Sequence, residues 1–189
     1  MKIVATAIPG CFQIITDIRR DDRGSFVKVF HEDIFREHGL ATEYAEEYYS
    51  TSQRGVIRGL HFQTPPHDHA KLVYCAQGAV LDAAVDLRRG SPTYGQHITL
   101  ELSAENGHML YLPAGLAHGF CSLSEQSLMT YKVTTTYAPN NDGGVLWNSA
   151  GIAWPVQEPL MSPRDRTFPT LAEFASPFVY DAGATGAGA

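Results

Sequence analysis

Lys71-Leu72-Val73-Tyr74-Cys75-Ala76-Gln77-Gly78-Ala79-Val80-Leu81-Asp82-Ala83-Ala84-Val85-Asp86-Leu87 decides the fold class. Two β-type runs, 71–76 and 79–87, flank a Gln-Gly turn. In the second run Leu81, Ala83, Val85 and Leu87 share one face, and Asp82, Ala84 and Asp86 the other, because side chains alternate along a strand. Working outward, Gly90-Ser91-Pro92 turns the chain into a run over 96–102. His108–Leu112 then ends at Pro113-Ala114-Gly115, and runs over 118–123 and 127–137 follow. Short strands at about ten-residue spacing, with turn signals between them, predict an all-β sandwich or barrel. Helix is sparse, with candidates only at 31–38 and 169–174. The expected architecture is a small jelly-roll barrel with an N-terminal extension and a C-terminal cap. It forms one domain over 1–180, followed by a flexible Gly/Ala tail at 181–189 that has nothing to bury.

A chain of 189 residues can bury a core without disulfides or metal staples. The net charge is −6 and the basic residues are scattered rather than clustered, which argues against a nucleic-acid or anionic-membrane partner. Cys11, Cys75 and Cys121 are odd in number and widely spaced, as expected for free buried thiols in a reducing compartment. The first residues form too short an apolar run for a signal peptide, and no stretch approaches ~18 apolar residues. The expectation is a soluble, cytoplasmic protein.

The densest polar cluster is Arg54-Gly55-Val56-Ile57-Arg58-Gly59-Leu60-His61-Phe62-Gln63, followed by Lys71. His61 and Gln63 fall on one face of an extended strand, and Gly59 permits an unusual backbone turn beside Arg58. An imidazole, cations and an amide this close suit an anionic ligand beside a proton transfer. They also suit a half-exposed strand with solvated charges. Asp82, His118 and Tyr131 are polar groups on otherwise inward faces, costly unless paired or used. The one His-x-His, His67-Asp68-His69, lies in a Pro-rich loop, whereas a metal site draws three or four ligands from fixed elements. No metal is expected. Gly-x-Ser-x-Gly and Gly-x-Gly-x-x-Gly are both absent, so neither a serine nucleophile nor a dinucleotide cofactor is expected. General acid–base chemistry remains.

Arg58-Gly59-Leu60-His61-Phe62-Gln63, Lys71-Leu72-Val73, Val85-Asp86-Leu87-Arg88, Gly90-Ser91-Pro92-Thr93-Tyr94-Gly95, Leu102-Ser103-Ala104-Glu105-Asn106, Pro113-x-Gly115-x-x-His118-Gly119-Phe120, Leu146-Trp147-Asn148 and Ser162-Pro163-Arg164-Asp165 follow one pattern. It is similar to that of the dTDP-4-dehydrorhamnose 3,5-epimerase family, from about residue 7 to 171. The resemblance implies a double-stranded β-helix (cupin-like) homodimer with no metal and no other cofactor, acting on a nucleotide-diphosphate sugar. It implies that His61 is the base, Asp165 its paired carboxylate and Tyr131 the proton donor on the opposite face of the sugar. Arg23, Phe26, Arg58, Gln63, Lys71, His118, Tyr137, Asp142 and Arg164 fall at substrate-contact positions, Arg23 and Phe26 being lent by the other subunit.

The chemistry suits those residue types. C3 and C5 of a 4-keto-6-deoxy sugar are both alpha to one carbonyl, so loss of either proton makes an enolate at O4. An imidazole, with a reference pKa of about 6.5, is a suitable base, and a carboxylate behind it fixes its tautomer. Lys71 is the first choice to stabilise O4, with Arg58 and Arg23 on the diphosphate. Asp82 is expected to orient His118. His31, His38, His67 and His97 are expected at the surface, and Trp154-Pro155 against the C-terminal segment.

Two departures stand out. Glu46-Glu47-Tyr48-Tyr49-Ser50 occupies a segment where the family carries Gln-Asp-Asn, so Tyr48 replaces an amide, and Lys28 replaces a glutamate. Both are expected beside the nucleotide base, leaving dTDP-, CDP- and GDP-linked sugars as substrates. A sugar-nucleotide 3,4-ketoisomerase on the same scaffold, and a non-catalytic sugar-nucleotide-binding barrel, are the competing readings.

Overall fold

The computed structural model describes residues 1–183; most of the expected tail, 184–189, lies outside the described residues. Two antiparallel sheets face each other. One runs β1 (Lys2–Ala5), β2 (Phe12–Ile15), β10 (His108–Leu112), β7 (Lys71–Gln77), β12 (Gln126–Val133), β5 (Glu46–Gln53). The other runs β13 (Asp142–Gly144), β6 (Ile57–Gln63), β11 (Leu116–Ser122), β8 (Ala79–Asp86), β9 (His97–Ser103). A separate hairpin pairs β3 (Ile18–Asp21) with β4 (Gly24–Val27). This is the expected all-β jelly roll.

Strand β8 is buried on both faces, which explains its near-continuous apolar run. Val80 and Ala84 point between the sheets with Leu102, Leu116 and Phe120, where they meet Val73, Leu110, Leu112 and Met129 of the other sheet. Ala83, Val85 and Leu87 point outward with Leu60, Phe62 and Ala117, and the C-terminal segment covers them through Val145, Ile152, Phe178, Trp154 and Leu171. The outer face of the six-stranded sheet, carrying Ile14, Leu72, Met109 and Tyr111, is capped by Phe35 and Leu40. Phe35 belongs to α1 (Glu32–Glu37), whose acidic first turn suits the positive helix end. Each large apolar side chain so enclosed contributes roughly 1.5–3 kcal/mol over its exposed state.

The Val85-to-Thr93 motif folds into a knot. The buried Asp86 carboxylate accepts Arg88 Nε and Nη2, each at 2.9 Å, and the hydroxyls of Ser91 at 2.6 Å and Thr93 at 2.8 Å. The three cysteines are free and buried. Trp154 packs as expected, its indole donating to Trp147 O at 2.9 Å.

Three expectations change. The helix expected over 169–174 is a turn, closed by Thr170 and Glu173 bonding each other's backbone and side chains; Leu171 and Phe174 are drawn onto the sheet instead. The C-terminal helical element is one 3₁₀ turn, Asp165–Thr167. The run expected over 127–137 leaves the sheet at Val133, because the Tyr137 amide is taken by Glu46 Oε2 at 2.7 Å. His31 and His97 are half-buried rather than at the surface.

Candidate active site

Strands β6 and β11 approach closely through two glycines. Gly59 has φ +126°, and a Cβ there would meet Gly119 Cα at 2.6 Å; a Cβ on Gly119 would meet Arg58 O at 2.7 Å. The register shifts between His118 and Phe120, and His61 comes to lie directly opposite His118. Both imidazoles line one cavity of about 350 Å³ between the sheets, large enough for a small ligand.

Each imidazole has its own carboxylate. His61 Nε2 lies 2.9 Å from Asp165 Oδ1, while Asp165 Oδ2 accepts the Gly59 amide at 3.2 Å. Burial drives the Asp165 carboxyl upward. His61's hydrogen bond and charge, the Gly59 amide and Ser162 outweigh it and hold the group below the usual carboxylate range. An ionised Asp165 requires a proton on Nε2, which leaves Nδ1 as the basic nitrogen. His118 Nε2 lies 2.8 Å from Asp82 Oδ2, as expected. Burial pushes Asp82 upward against the pull of His118 and Lys71, and its Oδ1 has no hydrogen-bond partner among the described residues.

Lys71 enters from β7, buried, with Nζ 3.4 Å from His61 O. Burial lowers its pKa to about 8, against the opposing charges of Asp142 and Asp82. Tyr131 enters from β12, and only 7% of it is exposed. Burial raises its phenol far above the ordinary tyrosine value, with the Ser50 hydrogen bond opposing. That hydroxyl lies 3.3 Å from Ser50 Oγ. His61, Lys71, His118 and Tyr131 therefore open on the same space.

At the mouth, Arg58 is braced by Ser52 Oγ at 3.0 Å and Thr51 O at 2.9 Å. Arg164 Nη2 pairs with Asp142 at 2.7 Å, and the Tyr137 hydroxyl donates to the same carboxylate at 3.3 Å. Gln63 also lines the cavity, but its amide is committed. Nε2 donates to His67 O at 2.8 Å and Oε1 accepts the Ala138 amide at 2.7 Å, so it ties two loops of the rim.

Arg23, Phe26 and Lys28 do not line this chain's cavity. Arg23 and Phe26 project on the β3–β4 hairpin, where Phe26 is 62% exposed, and Lys28 follows it. Tyr48, expected beside the nucleotide base, lines the cavity. Its ring lies parallel to Tyr131, centroids 4.8 Å apart and planes at 17°, because the two residues are opposite each other in the β5–β12 register.

Three polar lining residues went unread in the sequence, Glu46, Ser50 and His69, beside the apolar Phe62, Phe120 and Val133. Glu46 and Ser50 share Tyr48's parity on β5, and that parity was the available signal. His69 had none beyond its His-x-His. Its Nδ1 sits 3.2 Å from Gln63 Nε2, and burial, reinforced by Lys71, pushes it down to about 3. Among the described residues no group of three or more His, Cys, Asp or Glu is placed to hold a metal ion. A larger hollow, about 490 Å³, is lined by Phe12, Tyr111 and Phe178; its buried cation, Arg88, is spent on Asp86.

A double-stranded β-helix with an imidazole–carboxylate pair and a buried phenol opening on one cavity defines a cupin-type acid–base enzyme. The comparisons narrow that class. The profile of the dTDP-4-dehydrorhamnose 3,5-epimerase family matches residues 5–173, and the chain belongs to that family. It is 41% identical over 168 residues to the dTDP-4-dehydrorhamnose 3,5-epimerase of Shigella flexneri, covering 87% of this chain and 93% of that one. It is 40% identical over 176 residues to the dTDP-4-dehydrorhamnose 3-epimerase of Streptomyces niveus, covering 92% and 85%. Among solved structures, NovW, a 4-keto-6-deoxy sugar epimerase from the novobiocin gene cluster of Streptomyces spheroides, superposes with a TM-score of 0.89. It is 40% identical, with 92% of this chain and 88% of that one covered.

Proposed function

We propose that this protein inverts C3 and C5 of a dTDP-linked 4-keto-6-deoxy sugar through an O4 enolate, without metal or redox cofactor. The observation that carries the reading is that His61, its Nε2 engaged by Asp165, shares one cavity with Tyr131. His61 Nδ1 takes the proton alpha to the carbonyl, and the C–H electron pair moves into the enolate. Asp165 steadies the imidazolium that forms. Lys71 faces the developing O4 charge, where a preorganised donor is worth about 3 kcal/mol. Tyr131 gives its hydroxyl proton to the opposite face; water then returns a proton to the phenolate, and the imidazolium sheds its own to solvent. Arg58 and Arg164, at the mouth, suit the diphosphate.

The same reading makes the protein a cytoplasmic, single-domain homodimer over 1–180, in which the β3–β4 hairpin lends Arg23 and Phe26 to the partner's cavity. An exposed phenylalanine on a hairpin outside both sheets supports that exchange. No helix among the described residues is long and apolar enough to cross a membrane.

The test is to incubate the protein with dTDP-4-keto-6-deoxyglucose in deuterated water and follow the sugar by NMR. Inverted C3 and C5, each carrying solvent deuterium and with the ketone still at C4, is the expected product. A ketone moved to C3 would make the protein a ketoisomerase. An unchanged, unlabelled sugar would make it a binding module.

A further inference from the structure

Strand β5 presents Glu46, Tyr48, Ser50 and Ser52 on one parity, and each meets a different part of the site. Ser52 braces Arg58 and Glu46 holds the Tyr137 amide. The two between them both meet Tyr131. Tyr48 covers its ring in a parallel stack, and the Ser50 hydroxyl meets its phenol at 3.3 Å. The third neighbour is the His118 ring, edge-on at 6.0 Å. Tyr131 is thus held by ring face and by hydroxyl from one strand.

We propose that Tyr48 is a positioning residue for Tyr131: its stacked ring keeps the phenol at the reach and angle needed to protonate the sugar carbon opposite His61. This rests on the epimerase reading above and moves Tyr48 from base recognition to the reacting carbon.

The enolate has two fates. His61 can return a proton to the face it left, and because its side chain is 32% exposed that proton exchanges with solvent, giving labelled but uninverted sugar. Tyr131 can protonate the other face, breaking its O–H bond and forming the new C–H bond, with water reprotonating the phenolate. Only the second fate needs Tyr131 in place. A donor displaced by about 1 Å loses roughly a hundredfold in rate, so loosening Tyr131 slows inversion and leaves proton removal alone. An asparagine at 48 offers no ring to stack; a phenylalanine does.

The experiment measures, for the full chain in deuterated water, deuterium entering the remaining substrate against inverted product, for wild type, Y48F and Y48N. Melting temperatures establish that each variant is folded. Y48F is expected to keep the wild-type ratio of uptake to inversion. Y48N is expected to raise it about tenfold or more, with total label uptake held within about threefold. S50A is expected to shift the ratio in the same direction. The proposal is overturned if Y48N keeps the wild-type ratio, whether rates are unchanged or uptake and inversion fall together as general damage would cause. A wild-type protein that takes up no label sinks the epimerase reading itself, and Tyr48's role with it.

Discussion

His61 and His118 are direct cross-strand partners on β6 and β11, and each binds a different buried carboxylate through Nε2. The two dyads are not equivalent. His61 has 32% of its side chain exposed and pairs with a carboxylate that also takes a backbone amide. His118 has 4% exposed, and the second oxygen of its Asp82 has no hydrogen-bond partner among the described residues. The first dyad is open to solvent; the second is enclosed beside Lys71.

Asp165 is the part of the first dyad that can be changed with least disturbance. D165N preserves shape but removes the charge that steadies an imidazolium, and it can accept the Nε2 proton only in one amide orientation. The expected loss is about 10²- to 10⁴-fold in kcat with KM little changed. Steady-state kinetics on the folded variant measure it. A loss under tenfold would mean that Asp165 serves the fold alone.

Lys71 is expected to set a basic limb on activity. Its ammonium is the form that stabilises an enolate, and burial brings its pKa down to about 8. Turnover is therefore expected to fall as pH rises through about 8, a limb that K71M lacks because it is slow throughout. Stability moves the opposite way. The folded pKa lies below the unfolded one, so between about 8 and the ordinary lysine value of 10.5 the unfolded chain holds more protons, and the wild type gains stability as pH rises. K71M should melt higher than wild type at pH 7, and the difference should narrow toward pH 10. Thermal melts across that range measure it.

Phe26 is 62% exposed in the single chain, on a hairpin outside both sheets. If the hairpin enters a partner's cavity, F26A raises KM about tenfold or more while kcat moves little, since the residue is remote from the reacting carbons. Sedimentation on wild type should give a dimer. A monomer with unaltered kinetics in F26A would contradict the exchange.

The nucleotide is read by ligand-dependent melting. dTDP at a hundred times its Kd adds about 2.7 kcal/mol, or roughly 5–10 °C for a chain of this size. CDP and GDP are expected to give smaller shifts at the same concentration. Equal shifts for all three would place recognition in the diphosphate alone.

Much of this was legible in the sequence because it is local. Alternation at 79–87 sorted the side chains of β8 onto its two faces, and the two-residue step from His61 to Gln63 put both on one face, which lines the cavity. What stayed hidden depends on register between strands far apart in the chain. Tyr48 meets Tyr131 across 83 positions, set by the β5–β12 pairing, and no feature of Glu46-Glu47-Tyr48-Tyr49 announces an inward face, since none of the four is apolar enough to mark a side. Gln63 looked like a ligand because an amide in a polar cluster is available by default; only the fold reveals the loops that consume it. His69 sat in a Pro-rich loop whose return into the cavity is a tertiary event.

In the proposed mechanism an imidazole removes the proton and a facing phenol replaces it. Solvent deuterium uptake in H61N and Y131F, both folded, separates the two steps. H61N should take up no label at C3 or C5, whereas Y131F should still take up label at wild-type-like rates while inverting about a hundredfold more slowly. Label entering H61N at the wild-type rate, or undiminished inversion by Y131F, would contradict the account.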